Sequence, residues 1–140
     1  MTEPRTIRIG HDRAFLALSD NYENAPTRSV GGELWGFRAR LRVPNVEASA
    51  LVHVSESPPQ DRPLPAFFAE LAESWRGWAG TMDWRAHEEG LTLSCTHDGL
   101  GTISMATELR DSVRAWVVRA VVPIEAGQLG PLARDLEGFF

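Results

Sequence analysis

The sequence predicts an α+β domain: an antiparallel sheet of about six to seven strands built from sequential hairpins, with two helices, near 64–77 and 127–139, packed on one face. Three observations predict it. Apolar and polar residues alternate with period 2 near 5–9, 13–18, 34–43, 46–54, 90–97, 102–109 and 114–124, the pattern of half-buried strands. Short turn-forming stretches join several of these runs, so sequence neighbours pair antiparallel. Two other segments repeat their apolar residues at helical spacing. Four strands, a helix, three strands and a helix make a sheet with helices against it. The 140 residues supply one sizeable core, and therefore a single domain, 1–140.

After two short strands, the stretch WGFRARLRVPNVEASALVHV (35–54) is self-consistent as a hairpin. With Pro44 and Asn45 as the turn, Val43 lies opposite Val46, Leu41 opposite Ala48, Ala39 opposite Ala50, Phe37 opposite Val52 and Trp35 opposite Val54. All those pairs fall on one face, as register selection by a buried face requires. The other face receives Arg42 opposite Glu47, Arg40 opposite Ser49 and Arg38 opposite Leu51. The stretches SDNYENAPTRSVGGE (19–33) and SESPPQDRP (55–63) are rich in turn formers and read as loops, the first long enough for a functional one.

LPAFFAELAESWRGW places Phe67, Phe68, Leu71, Trp75 and Trp78 on one helical stripe, with Pro65 in the first turn and Gly77 at the exit. Trp75 and Trp78 read as core and helix-exit packing rather than an aromatic platform. In LTLSCTHDGLGTISMATEL, Leu91, Leu93 and Cys95 share one face, as do Ile103, Met105 and Leu109. Joining those faces requires a three-residue turn with a glycine bulge. A further hairpin through RDSVR places Leu109 near Trp116 and Met105 near Ala120. AWVVRAVVPI is apolar on both sides except at Arg119, which predicts a strand that is central or covered on both faces. GQLGPLARDLEGFF closes the chain as a helix with Leu129, Leu132, Ala133, Leu136, Phe139 and Phe140 on its apolar side and Pro131 in its first turn.

Composition excludes several functions. Hydrophobic residues at 43% and charged residues at 24% describe a globular chain rather than a disordered one. All 14 basic residues are arginine, yet the net charge is −5. That total disfavours nucleic acid and is compatible with a basic protein partner. Cys95 is the single cysteine, so no intramolecular disulfide or zinc cluster can form. The opening MTEPRTIRIG lacks a signal-peptide profile, and no run approaches the roughly 20 apolar residues of a membrane span. The expectation is a soluble cytoplasmic protein without a membrane partner.

Catalytic motifs are missing. No Walker loop, no GxGxxG after a strand, no HExxH and no GxSxG occurs, and His11, His53, His87 and His97 show no metal-ligand spacing. No cofactor is implied. His97 and Asp98 are adjacent in a strand and point to opposite faces, so they read as turn chemistry rather than as an acid–base pair. Cys95 alternates with Leu91 and Leu93 and reads as a small core residue.

The arginine stripe is the surviving candidate. Side-chain parity assigns Arg38, Arg40, Arg42, His53, Glu108 and Arg119 to the sheet face away from the helices, together with Leu51, Val117 and Val121. Its plainest reading is a solvated face whose Arg42–Glu47 pair contributes around 0–1 kcal/mol. The mixture of charged and apolar residues also suits a surface that something covers. A protein partner, a curled sheet edge or a small ligand would each do. An anionic small molecule would be held by Arg38, Arg40 and Arg119 with His53 or Glu108 moving a proton.

A family resemblance adds to this. Trp35 with Phe37, FFAELAESWRGWAG, MDWRAHEEGLTLSCTHDGLG and VVPIEAGQLGPLARDLEGFF form a recurring pattern. It comprises a tryptophan strand, a helix ending in tryptophan and glycine, a second tryptophan strand, a histidine–aspartate–glycine hairpin and a closing helix. Over about 13–140 the chain resembles a group of small bacterial proteins known only as a domain of unknown function. That group is distantly similar to immunity proteins of the wall-associated-protein toxin family. The resemblance implies a non-enzymatic role, binding a toxin or client protein, and brings no catalytic residue with it.

Overall fold

The computed structural model describes residues 6–19, 34–55, 63–86 and 89–139. The two stretches read as loops, 19–33 and 55–63, lie almost wholly outside the described residues, as do His87 and Phe140. Among the described residues, eight strands form two antiparallel four-stranded sheets, where the sequence predicted six or seven strands in one. The first sheet runs β1 (Thr6–Gly10), β2 (Phe15–Ser19), β3 (Leu34–Val43) and β4 (Val46–Ser55). Helix α1 (Leu64–Glu73) follows. The second sheet runs β5 (Met82–Arg85), β6 (Leu91–His97), β7 (Thr102–Asp111) and β8 (Trp116–Glu125). A 3₁₀ turn, Ala126–Gln128, leads into α2 (Leu129–Phe139). The order is thus four strands and a helix, twice over, although no sequence repeat accompanies it. Among the described residues, no helix is long and apolar enough to cross a membrane.

Both sheets turn one face to a single core. Leu16, Leu18, Phe37, Leu41 and Val52 enter it from the first sheet; Leu93, Met105, Leu109, Val122 and Ile124 enter from the second. The sheets approach each other through β3 and β4 against β7 and β8, and through β1 beside β8. Alanine at positions 39 and 50, both buried, leaves room for that approach. The helices pack on each other, α1 also touching β5 and α2 touching β1. They therefore belong to a core shared with both sheets, rather than lying on one face of one sheet. Their buried residues, Leu64, Phe67, Phe68 and Leu71 in α1 and Leu129, Leu132, Leu136 and Phe139 in α2, recur every three or four positions, as an apolar stripe requires.

The hairpin registers test the sequence directly. Every expected β3–β4 pair is present, from Val43 opposite Val46 to Trp35 opposite Val54. Asn45 closes that turn at φ 70°, a left-handed conformation that asparagine tolerates. Cys95 pairs with Met105 and Leu91 with Leu109, as the odd-numbered turn demanded. The β7–β8 hairpin differs by two residues: Leu109 faces Val118 and Met105 faces Val122. The cause is a longer turn. Asp111 accepts the Arg114 backbone N–H at 2.9 Å and pairs with the Arg114 guanidinium at 3.0 Å. Ala115 then turns back at φ 57°.

Two element boundaries also differ. Helix α1 ends at Glu73 rather than near 77, so Trp75 and Trp78 lie past its last turn and helical spacing does not govern them. Strand β8 is an edge of its sheet, not a central strand. Pro123 suits this position, because it has no backbone N–H to give to a further strand and proline within sheets is confined largely to edges.

Candidate functional site

The outer face of the first sheet holds the arginine stripe. Arg38, Arg40 and Arg42 all project to solvent from β3, while their neighbours Phe37, Ala39 and Leu41 are buried. Beneath them lies an aromatic that the alternation did not single out. Phe15 of β2 points to this outer face yet is only 2% exposed. Two guanidiniums cover it: Arg8 lies 4.5 Å and Arg40 5.4 Å from the ring centroid. A cation over a ring in this way contributes about 0.5–1 kcal/mol at an exposed site. Arg8 also pairs with Asp12 at 3.0 Å. Arg40, not Arg42, approaches Glu47, at 3.6 Å. Arg38 and Arg42 make no ion pair among the described residues. His53 lies across from Gly36, whose missing Cβ would meet the imidazole Cδ2 at 3.2 Å and Leu51 Cδ1 at 3.4 Å.

Glu108 and Arg119 belong elsewhere. They face each other across β7 and β8 on the outer side of the second sheet. The shared core lies between the two outer faces, so the six predicted residues form two groups, not one. Arg119 donates to Glu108 Oε2 through Nη2 at 2.8 Å and Nε at 3.2 Å, and Arg110 donates to Oε1 at 3.0 Å. The Arg119 and Arg110 hydrogen bonds hold the Glu108 carboxyl below the ordinary carboxylate range. A carboxylate so fixed neither donates nor takes up a proton near neutrality, and Arg119 has spent its fork on it. An anion held jointly by Arg38, Arg40 and Arg119 therefore has no common site. Around the pair, Val117 and Val121 stand 50% and 55% exposed.

A third surface was invisible in the sequence because three separate segments build it. The end of α1 and the turn after it (Ala72, Trp75, Arg76), the β6–β7 turn (His97 and Gly99–Thr102) and the β8–α2 junction (Glu125–Gly127, Gly130, Pro131) enclose an open cleft of about 880 Å³. Its turn is rigid by construction. Asp98 Oδ1 accepts the backbone N–H groups of Leu100 at 2.6 Å and Thr102 at 3.0 Å. The Thr102 and then the Leu100 hydrogen bond keep its carboxyl ionised below the usual range. His97 joins the turn to α1: Nδ1 accepts the Gly99 N–H and Nε2 donates to the Trp75 carbonyl, both at 2.8 Å. Those partners select the tautomer with hydrogen on Nε2. Trp78 stacks edge-on against the His97 ring at 5.1 Å and donates from Nε1 to the Cys95 carbonyl at 3.1 Å. His97 and Asp98 are thus both occupied in shaping the turn.

The clamp leaves two large apolar side chains in solvent. Trp75 is 53% exposed, with the Arg76 guanidinium 5.1 Å from its ring centroid, and Leu100 at the turn's tip is 90% exposed. Reading Trp75 as core was therefore incorrect, because the helix stops before the stripe reaches it. Trp78 is half-buried, as helix-exit packing implied.

Cys95 is fully buried, and burial, followed by the Asp83 carboxylate, pushes its thiol up to about 12. A thiol that cannot ionise is no nucleophile. Native protein is expected to resist alkylation by iodoacetamide at mildly alkaline pH and to be labelled fully in concentrated guanidinium. Mass spectrometry reads the difference, and rapid native labelling would show that the strand opens. Among the described residues, no group of three or more His, Cys, Asp or Glu is arranged to hold a metal ion.

No curated protein and no solved structure shows significant similarity to this chain. A family model does match residues 10–140, nearly the whole chain, and on that match the protein belongs to the family of unknown function DUF6228.

Proposed function

We propose that this protein is a non-enzymatic protein-binding module that acts by occluding a partner, in the manner of an immunity protein. The observation that carries the reading is the pair of exposed apolar side chains, Trp75 and Leu100, on two walls of the open cleft. Binding energy at protein interfaces concentrates in a few such residues, tryptophan above all, seated where water can be excluded. Leu100 is presented by a turn already fixed by Asp98, so little ordering remains to oppose binding. The polar groups nearest the cleft, His97 and Asp98, are consumed by main-chain hydrogen bonds, which favours recognition over chemistry.

Size-exclusion chromatography of the protein mixed with each protein encoded beside it tests the proposal. A partner is expected to co-elute with the wild type and to separate from the Trp75→Ala, Leu100→Ser double variant. Both side chains are exposed, so the variant keeps its core. Failure of every neighbouring gene product to form a stable complex would overturn the reading.

A further inference from the structure

The arginine face of the first sheet carries a second inference, independent of the cleft. We propose that it binds an extended, acidic polypeptide segment whose Asp or Glu residues recur at every second position.

Spacing is the first argument. Arg38, Arg40 and Arg42 leave one strand on one side, and residues two apart on a strand are about 6.5–7 Å apart. An extended chain with carboxylates at alternate positions has the same repeat, so it can lie along β3 and meet the three guanidiniums in register. A helix places its acids about 5–6 Å apart at positions three and four apart, a shorter repeat that also drifts around the helix axis, so it matches the stripe less well.

Charge is the second. Among the described residues, the strands of this face carry Arg8, Arg38, Arg40 and Arg42 against one acid, Glu47, in a chain of net charge −5. Guanidiniums held this close repel one another, and the two nearby acids, Asp12 and Glu47, are taken by Arg8 and Arg40. Arg38 and Arg42 are left with donors unspent among the described residues. Carboxylates laid along the stripe relieve the repulsion and take those donors in forked hydrogen bonds.

Preorganisation is the third. The Arg8 and Arg40 guanidiniums already lie over the Phe15 ring, so part of the ordering cost of binding is met by the fold itself. The acidic total of the whole chain repels a polyanion as dense as nucleic acid at long range, which favours a sparsely acidic peptide.

The test uses the full chain and two fluorescent peptides of one composition, with glutamate and threonine either alternating or in blocks. Anisotropy at low ionic strength is expected to show the alternating peptide binding more tightly, and added salt is expected to weaken it. The Arg38→Gln, Arg42→Gln double variant is expected to lose about tenfold in affinity or more. Both side chains are exposed and, among the described residues, unpaired, and an unchanged thermal midpoint confirms the fold. Equal affinity for the two peptides, an unaffected double variant, or tighter binding of single-stranded DNA of equal charge would each overturn the proposal. The Trp75→Ala, Leu100→Ser variant is expected to bind the alternating peptide like the wild type. This separates failure here from failure of the cleft.

Discussion

Gly10→Ala is expected to destabilise the protein by about 2–5 kcal/mol, a large share of the 5–15 kcal/mol that typically holds a domain folded. Gly10 ends β1 at φ 119°, where an L side chain is strained in any surroundings. Its surroundings are also full. A Cβ there would lie 2.5 Å from the Ala14 carbonyl oxygen and 2.7 Å from Val122 Cγ1. The carbonyl cannot retreat freely, because it accepts the His11 N–H at 2.8 Å and closes the β1–β2 turn. Val122 belongs to β8, so the same methyl would push the two sheets apart. Gly99→Ala supplies the control: Gly99 has φ 79° but nothing within 4 Å of its Cβ position. Its cost is confined to the left-handed backbone, about 1–2 kcal/mol. Urea unfolding of the two variants separates strain from clash, and equal losses would show that the approach of β1 to β8 adds nothing.

How far the fold was legible depends on what fixed each part of it. The β3–β4 and β6–β7 registers were legible because a one-residue slip would turn Phe37 or Cys95 out of the core. The β7–β8 register escaped because a two-residue slip preserves parity: Trp116 and Val118 are both on the inner side. Only the Asp111–Arg114 turn decides between them. Two sheets could not be told from one, since hairpins specify who pairs with the next strand and say nothing across α1. Alternation did not mark β5, a four-residue strand in a segment crowded with glycine and tryptophan; the second tryptophan strand of the family resemblance, in MDWR, did. The edge position of β8 escaped because AWVVRAVVPI is apolar on both sides, as a central strand is; Pro123 alone pointed to an edge.

The candidate sites divide in the same way. Alternation placed Arg38, Arg40 and Arg42 in solvent correctly, since that depends on one strand alone. It could not separate them from Glu108 and Arg119, because that depends on which sheet each strand joins. Nor could it show Phe15 under two guanidiniums, a contact across three strands. The cleft needed the ends of α1, the β6–β7 turn and the start of α2 brought together. Local pattern carries no information about such convergence.

Phe37→Ala is expected to cost about 3–5 kcal/mol, toward the upper end of that range. Phe37 is fully buried in β3 opposite Val52, and its ring meets Phe139 of α2 edge-on at 6.3 Å and 83°. The cost of such a truncation depends on how well neighbours can close the cavity. On the same face, the neighbours toward the turn are Ala39 and, across from it, Ala50, which have no side-chain length with which to do so. The contact also joins elements far apart in the chain, the first sheet and the closing helix. Phe139→Ala should therefore cost less in the Phe37→Ala background than in the wild type. A double-mutant cycle by chemical denaturation is expected to give a coupling of about 0.5–1.5 kcal/mol. A coupling near zero would mean that α2 is held by buried area alone, and the ring geometry would then contribute nothing to joining it to the sheet.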